Sequence, residues 1–229
     1  MKKTLLTLFV LVLVQSATVA QSYWSFNFNS LSPLGDLRND SPSLWGGGAN
    51  VQMMFLIKDS PLYLGASGSM NIYGSEKQDL MMPVELTGET DVTRRNWVAN
   101  AMAVVRYMPQ GSGKLHPFVD FSAGYSFAYT YAEFHTEING ECEVELESVL
   151  SDGTFTYGLG AGLEYHFSSD IGLHLSINSL RGGTVQYLTP SGMEYNQMID
   201  TYDMDVRTSR LEYMMVNVGV SFPFIIRSE

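Results

Sequence analysis

Cysteine is almost absent from this sequence, since Cys142 is the only one among 229 residues. A framework of internal disulfides is therefore excluded. Basic residues are also scarce, with 13 Lys and Arg against 24 Asp and Glu. Because nucleic-acid binding needs clustered Lys and Arg at the phosphates, we expect no nucleic-acid partner. A membrane-spanning helix needs a run of about 20 apolar residues, and no run after Ala20 approaches that length.

The first 20 residues have the layout of a secretory signal peptide. Two lysines precede an apolar run over residues 5–14, and small residues surround Ala20. We predict cleavage after Ala20, which leaves residues 21–229 as a single exported domain.

The exported sequence alternates between apolar residues and polar or small ones. In TFTYGLGAGLEYHF (154–167), aromatic and aliphatic residues take the odd positions, and Gly, Thr, Glu and His take the even ones. Side chains of a strand alternate between two faces, so this segment is predicted to be a strand with one apolar face. Eight segments of roughly 8 to 15 residues repeat the pattern.

The connections between these segments alternate in length. Long ones cover 30–44, 74–95, 132–153 and 181–209, and short ones cover 57–61, 108–116 and 168–170. Outer-membrane barrels have short periplasmic turns and longer external loops. We therefore predict an all-β fold, an eight-stranded antiparallel up-and-down transmembrane β-barrel, which is monomeric and lies in the outer membrane of a Gram-negative bacterium.

Aromatic residues stand at the ends of many apolar faces. They predict two girdles at the membrane interfaces, formed by Trp24, Trp45, Trp97, Tyr107, Phe155, Phe167 and Phe224. Outer-membrane lipid is thus an expected partner. Arg94 and Arg95, next to Trp97, are candidates for contact with lipopolysaccharide phosphates.

The whole pattern resembles the small eight-stranded outer-membrane β-barrels. It is similar to the membrane domain of the outer-membrane protein A type, and especially to the porin-family "outer membrane β-barrel" domains common in Bacteroidota. The stretch VGVSFPF, which ends at Phe224, looks like the signal by which the barrel-assembly machinery recognises this family, although five residues follow it. The resemblance implies a structural anchor that presents four extracellular loops. No cofactor or resident metal is expected.

The polar faces of eight strands meet in a narrow lumen that side chains can fill. Because buried charges are tolerated only when paired, each should have a partner on a neighbouring strand. The pairs expected are Arg106/Asp120 and Glu164/His174, and Asp120 also lies near His166 if strands five and six meet with Tyr131 near Phe155. They predict a plugging polar cluster in the periplasmic half of the lumen, formed by Arg106, Asp120, Glu164, His166 and His174.

The predicted loop over 132–153 is acidic, with seven Asp and Glu and no Lys or Arg. Clustered carboxylates suit a hard cation such as Ca²⁺. The candidate cation-binding residues are Glu141, Glu143, Glu145 and Glu147; the alternative is a solvated acidic rim. Alternation over 141–147 also indicates that strands five and six extend as a hairpin above the membrane. Cys142 would be an exposed free thiol there.

Three other functions remain open at this point. A narrow porin for small solutes would need open space along the small lumen residues Gly158, Gly160 and Gly162. A soluble lipocalin-like carrier of apolar ligands would need the apolar faces to turn inward. His174 and Ser176 are similar to the His-x-Ser pattern of outer-membrane lipid A deacylases. Parity places both on the lumen face near the periplasmic end rather than on the lipid face near the outer leaflet, and no obvious acid follows on the lipid face to orient a catalytic histidine there. We therefore predict no enzyme activity.

Overall fold

The computed structural model describes residues 21–40, 46–57, 60–80, 90–109, 111, 113–138, 141–168, 171–196 and 201–225. The predicted signal peptide, residues 1–20, lies outside them. Within the described residues, no helix is both long and apolar enough to cross a membrane.

Eight strands form a closed barrel in which each strand pairs antiparallel with its neighbours in sequence and the last pairs with the first. The strands are β1 (Gln21–Pro33), β2 (Gly46–Leu56), β3 (Leu62–Leu80), β4 (Thr90–Tyr107), β5 (Leu115–Ile138), β6 (Glu141–His166), β7 (Gly172–Asn196) and β8 (Thr201–Ile225). One short helix, α1 (Gly35–Asp40), follows β1. The predicted fold class and strand number are confirmed.

The two ends of the barrel differ in their connections. At the lower end, as we call it, β1 begins, β8 ends, and short connections cover 57–61, 108–114 and 167–171. At the upper end the strands continue into the segments predicted to be long loops. Only residues 139–140 separate β5 from β6, and only 197–200 separate β7 from β8. The predicted loops over 132–153 and 181–209 are therefore wrong, whereas the predicted hairpin extension of β5 and β6 is confirmed.

The stagger of the wall follows from the residue pairs. Paired residues can be followed from strand to strand round the barrel, starting at Leu115 on β5. After one full circuit the path returns to β5 at Tyr125, ten residues further along the strand. Eight strands with this stagger tilt by roughly 40° from the barrel axis. Trp97 and Tyr107, ten residues apart on β4, are then separated by about 24 Å along the axis, close to the about 25 Å of an outer-membrane apolar band.

The apolar face of each strand forms the outside of the barrel. Large exposed hydrophobic residues cover this wall, among them Phe28, Phe121, Leu159, Ile177 and Val218. The alternate positions face the lumen and are mostly buried; they carry amide, hydroxyl and charged groups together with apolar side chains such as Met54, Val98 and Leu211. A lipocalin-like carrier needs the opposite arrangement, so the structure contradicts that alternative.

Glycines on the lumen face stand where neighbouring backbones come close. A methyl group on Gly219 would collide with the carbonyl oxygen of Phe26, and one on Gly65 would collide with that of Met53. The small residues thus make close strand contact possible rather than opening a passage.

Above the closed wall, the sheet divides. The ladder between β6 and β7 ends at Thr156 and Gly182, although both strands continue upward. There β6 pairs with β5, and β7 pairs with β8. The carboxylate of Asp152 spans the gap, because its Oδ2 accepts a hydrogen bond from the backbone N–H of Gln186 at 2.9 Å.

Candidate functional site

A charged cluster closes the lower half of the lumen. The Arg106 side chain is fully buried, with 0% of its surface exposed. Its guanidinium donates two hydrogen bonds to Asp120, at 2.6 Å to Oδ1 and 2.7 Å to Oδ2. It also donates to Gln52 Oε1 at 2.9 Å and to the Tyr23 hydroxyl. This two-pronged contact with a carboxylate is the strongest geometry that an arginine offers.

Aromatic contact completes the surroundings of the guanidinium. The Cζ atom of Arg106 lies 3.5 Å from the centre of the Phe118 ring, within the range of a cation–π contact. Phe118 in turn stacks on the His174 ring, at 5.3 Å between ring centres. The cation is therefore covered by a ring on one side and bound by polar groups in its plane.

Glu164 joins this cluster to His174. Its Oε1 lies 2.7 Å from His174 Nδ1 and 3.5 Å from Arg106 Nη1. Its Oε2 accepts a hydrogen bond from the Ser221 hydroxyl at 2.7 Å. Because an ionised carboxylate only accepts hydrogen bonds, Nδ1 carries the imidazole proton of this pair.

Ser176 continues the chain, because its hydroxyl lies 3.1 Å from His174 Nε2. Glu164, His174 and Ser176 thus form an acid–histidine–serine series on the lumen face, which includes the predicted Glu164/His174 pair. Two amide groups, those of Asn178 and Asn217, also donate to the Ser176 oxygen at 3.2 and 3.1 Å. The serine is buried with 3% exposure, in the lumen and away from the outer wall.

The middle of the lumen contains amides, hydroxyls and a small cavity. Hydrogen bonds cross between strands there, such as Asn100 Nδ2 to Ser69 Oγ at 2.8 Å and Ser126 Oγ to Asn100 Oδ1 at 2.6 Å. The cavity has a volume of about 30 Å³ and is lined by groups that include Gln52 and Ser176. This volume holds one or two water molecules.

An apolar plug fills the upper half of the lumen. Its buried side chains are Leu31, Leu37, Tyr73, Leu180, Val185, Tyr187, Leu211 and Tyr213. Helix α1 contributes Leu37 and is held to β8 by the backbone N–H of Leu34, which donates to the Glu212 carbonyl at 2.8 Å. The Tyr213 hydroxyl donates to Asn100 Oδ1 at 2.5 Å, which joins the plug to the amide layer below.

Four of the five residues predicted for the polar cluster are in contact. The exception is His166, because Asp120 pairs with Gly160 rather than lying beside His166. The physical reason is the register: Phe155 pairs with Tyr125 and not with Tyr131. His166 instead lies below the cluster, next to His116. Sequence reasoning also missed Tyr23, Gln52, Phe118 and Ser221, which carry no charge and thus gave no signal for pairing.

The predicted girdle residues that the structure describes lie on the outer wall. Trp24, Tyr107, Phe155 and Phe167 are exposed, and Trp97 is half-buried. Trp45 lies outside the described residues, and the Phe224 side chain lies outside the described side chains. The upper end of β5 carries a row of rings, Tyr125, Phe127, Tyr129 and Tyr131, which stack in succession at 6.3 Å between centres.

The predicted cation-binding residues are on a strand and not in a loop. Glu141, Glu143, Glu145 and Glu147 occupy alternate positions of β6, so the register places them on one face of the β5–β6 hairpin. Their side chains fall outside the described part of the structure, and the cation site stays a prediction.

A closed antiparallel barrel with an apolar outer wall and an interior filled by side chains is an integral membrane β-barrel, because only a closed sheet satisfies its backbone within lipid. The chain belongs to the outer membrane protein beta-barrel domain family, whose model matches residues 4–224. The protein therefore lies in the outer membrane of a Gram-negative bacterium.

Solved structures with similar folds are small outer-membrane barrels. Neisserial surface protein A is 10% identical, with 90% of this chain and 97% of that chain covered and a TM-score of 0.42. The attachment invasion locus protein Ail of Yersinia pestis is 13% identical, with 90% and 99% covered and a TM-score of 0.36. A major outer membrane protein of Thermus thermophilus is 13% identical, with 89% and 99% covered and a TM-score of 0.49. No curated protein matches the sequence. These likenesses are too distant to transfer a function.

Proposed function

We propose that this protein is a monomeric structural barrel that anchors its upper hairpins at the cell surface and has a closed lumen. The observation that carries the proposal is the fully buried Arg106, whose bonds to Asp120, Gln52 and Tyr23 reach across the lumen. Together with the apolar plug above it, this contact leaves space for water molecules and not for a solute path.

The upper hairpins would be the surface-exposed part of the protein. Strands β5 and β6 pair continuously up to Ile138 and Glu141, well above the Trp97 level of the outer wall. A rigid barrel that carries extended hairpins is suited to contact with other molecules, as loops on rigid scaffolds often are. The extended β5–β6 and β7–β8 hairpins replace two of the four loops expected from sequence, and the acidic β5–β6 hairpin remains the proposed cation-binding segment.

The expected partners follow from the outer wall. We place outer-membrane lipid against the apolar band and lipopolysaccharide against the upper aromatic residues and Arg95. Export through the predicted signal peptide would deliver the chain to the barrel-assembly machinery, which would recognise β8.

A catalytic role is not part of the proposal. Glu164, His174 and Ser176 have the order of a nucleophile series. However, the hydroxyl of Ser176 is engaged by two amides, and the adjacent cavity of about 30 Å³ cannot admit an acyl substrate. These contacts favour a structural role for the three residues.

Planar lipid bilayers test the closed lumen. The purified mature chain should insert without producing stepwise ion conductance, because both plugs block the path. Insertion and orientation are checked by the change in gel mobility on boiling and by a membrane-impermeant maleimide at Cys142, the only cysteine of the chain.

The matched control combines Arg106→Ala with Tyr213→Ala, which removes the largest side chain of each plug. We expect this variant to conduct if it passes the same insertion check. Steady conductance steps from the unaltered chain would contradict the proposal and favour a narrow porin for small solutes.

A further inference from the structure

Three of the four histidines in the chain lie at the lower end of the lumen. His174 belongs to the charged cluster, whereas His116 and His166 form a separate pair beneath it. Their ring centres are 4.8 Å apart and their planes are inclined by 42°. They lie on adjacent strands β5 and β6, on the lumen face close to where both strands end.

The hydrogen bonding of the pair differs from that of His174. Both ring nitrogens of His174 are engaged, at 2.7 Å to Glu164 and 3.1 Å to Ser176. Within the described part of the chain, neither ring of His116 and His166 has a hydrogen-bond partner. Their nitrogens are therefore free to act as ligands.

Access and local charge also suit a cation. Both rings are half-buried, so they are held in place by neighbours and remain open to solvent from below. The carboxylate of Glu164 lies above them, since Glu164 pairs with His116 across the ladder. The absence of a side chain at Gly172 leaves room for the His166 ring, because a methyl group there would lie 2.9 Å from its Cδ2 atom.

We propose that His116 and His166 bind a late first-row transition-metal ion, such as Zn²⁺ or Cu²⁺, at the periplasmic mouth of the barrel. Zinc–nitrogen bonds are about 2.0–2.1 Å long, so one ion holds two ligating nitrogens within about 4 Å of each other. The observed 4.8 Å between the two ring centres is compatible with this spacing of the ligating nitrogens. Among the described residues, no group of three or more His, Cys, Asp or Glu is placed to hold a metal, so water would complete the coordination.

The bound ion would link β5 to β6 below the charged cluster. A site with two histidine ligands binds a metal ion less tightly than a closed site with four ligands. Its affinity for different metals follows the general order for nitrogen ligands, so Cu²⁺ should bind more tightly than Zn²⁺. Because the ion binds the folded barrel, it should also raise the unfolding midpoint of the protein.

Zinc chloride titration of the refolded mature chain in detergent micelles tests the site. Histidine side-chain NMR signals and competition with a chromophoric chelator should report one bound Zn²⁺ per chain, with shifts confined to His116 and His166. His116→Gln and His166→Gln should each weaken binding by at least about 10–100-fold. The control His135→Gln, which alters the histidine on the upper part of β5, should bind as the unaltered chain does.

Two outcomes would overturn the proposal. One is the absence of shifts at either histidine at millimolar Zn²⁺. The other is binding that both Gln variants retain, which would assign the ion to carboxylates elsewhere in the chain. The two variants remove neither a charge pair nor a plug residue, and their unchanged gel mobility would show that they fold.

Discussion

The lower half of the lumen contains a cluster of buried charges, whereas the buried side chains of the upper half that the structure describes are uncharged and mostly apolar. In the lower half, Arg106, Asp120 and Glu164 are bound to each other and to neutral donors and acceptors. In the upper half, Tyr73 and Leu211 belong to a plug of buried apolar residues.

The two halves should therefore respond differently to substitution. A buried ion pair makes a protein little more stable than apolar side chains of the same volume would. Removing one partner, however, leaves an uncompensated buried charge, which lowers the free energy of unfolding strongly. An apolar plug loses stability in proportion to the volume removed. The lower half depends on a complete set of partners, whereas the upper half depends on packed volume.

The largest loss is expected from Arg106→Ala. It leaves Asp120 and Glu164 without their cation, and we expect the free energy of unfolding to fall by about 3–5 kcal/mol. Urea-dependent gel mobility of the refolded barrel measures this. Arg210→Ala, which removes an exposed arginine of the upper end, is the control and should change little. Equal losses in the two variants would contradict a stabilising role for the cluster.

A smaller loss is expected from Leu211→Ala in the upper plug. Leu211 is fully buried, so the substitution leaves a cavity and should lower the free energy of unfolding by about 2–4 kcal/mol. Leu159→Ala, on the outer wall of β6, is the matched control and should cost less than about 1 kcal/mol. If the same unfolding assay gave the larger loss for Leu159→Ala, the upper residues would not form a packed plug.

The smallest expected difference in stability is between alanine substitutions of two buried serines on β8. Ser221→Ala removes a hydrogen bond to the Glu164 carboxylate and should cost about 1–2 kcal/mol. Ser209 lies in the upper half, and its buried hydroxyl has no hydrogen-bond partner among the described residues. Ser209→Ala should therefore be neutral or slightly stabilising. Thermal unfolding of both variants measures the difference, and a larger loss for Ser209→Ala would reverse the comparison.

Sequence reasoning predicted the lower half better than the upper. Short turns fix the pairing of neighbouring strands, so Glu164 could be placed opposite His174 from the connection alone. The β5–β6 register was predicted wrongly because the two strands pair up to Ile138 and Glu141 and a register shift follows Thr130, and neither feature has a clear signature in the acidic segment. His166 was misplaced as a direct result.

The upper plug was missed for a different reason. Tyr73, Tyr187 and Leu211 belong to strands that extend above the apolar band, where the outward positions no longer need to be apolar. The alternation that identifies a spanning strand therefore fades, although the inward residues are still buried. A search for inward apolar residues with polar outward neighbours would have found them.

The stagger of ten residues constrains how this sequence can change in length. On a closed wall, inward and outward positions must match again after one full circuit, so the stagger can change only in steps of two. A single residue inserted low in any strand would turn the rest of that strand inside out or disrupt the seam. Within the described strands, the register shifts lie at the upper ends, near Ile72, Thr130, Arg181 and Leu188, where the hairpins have free edges. We therefore expect that insertions of any length are tolerated at the hairpin tips, whereas the wall tolerates only insertions of an even number of residues.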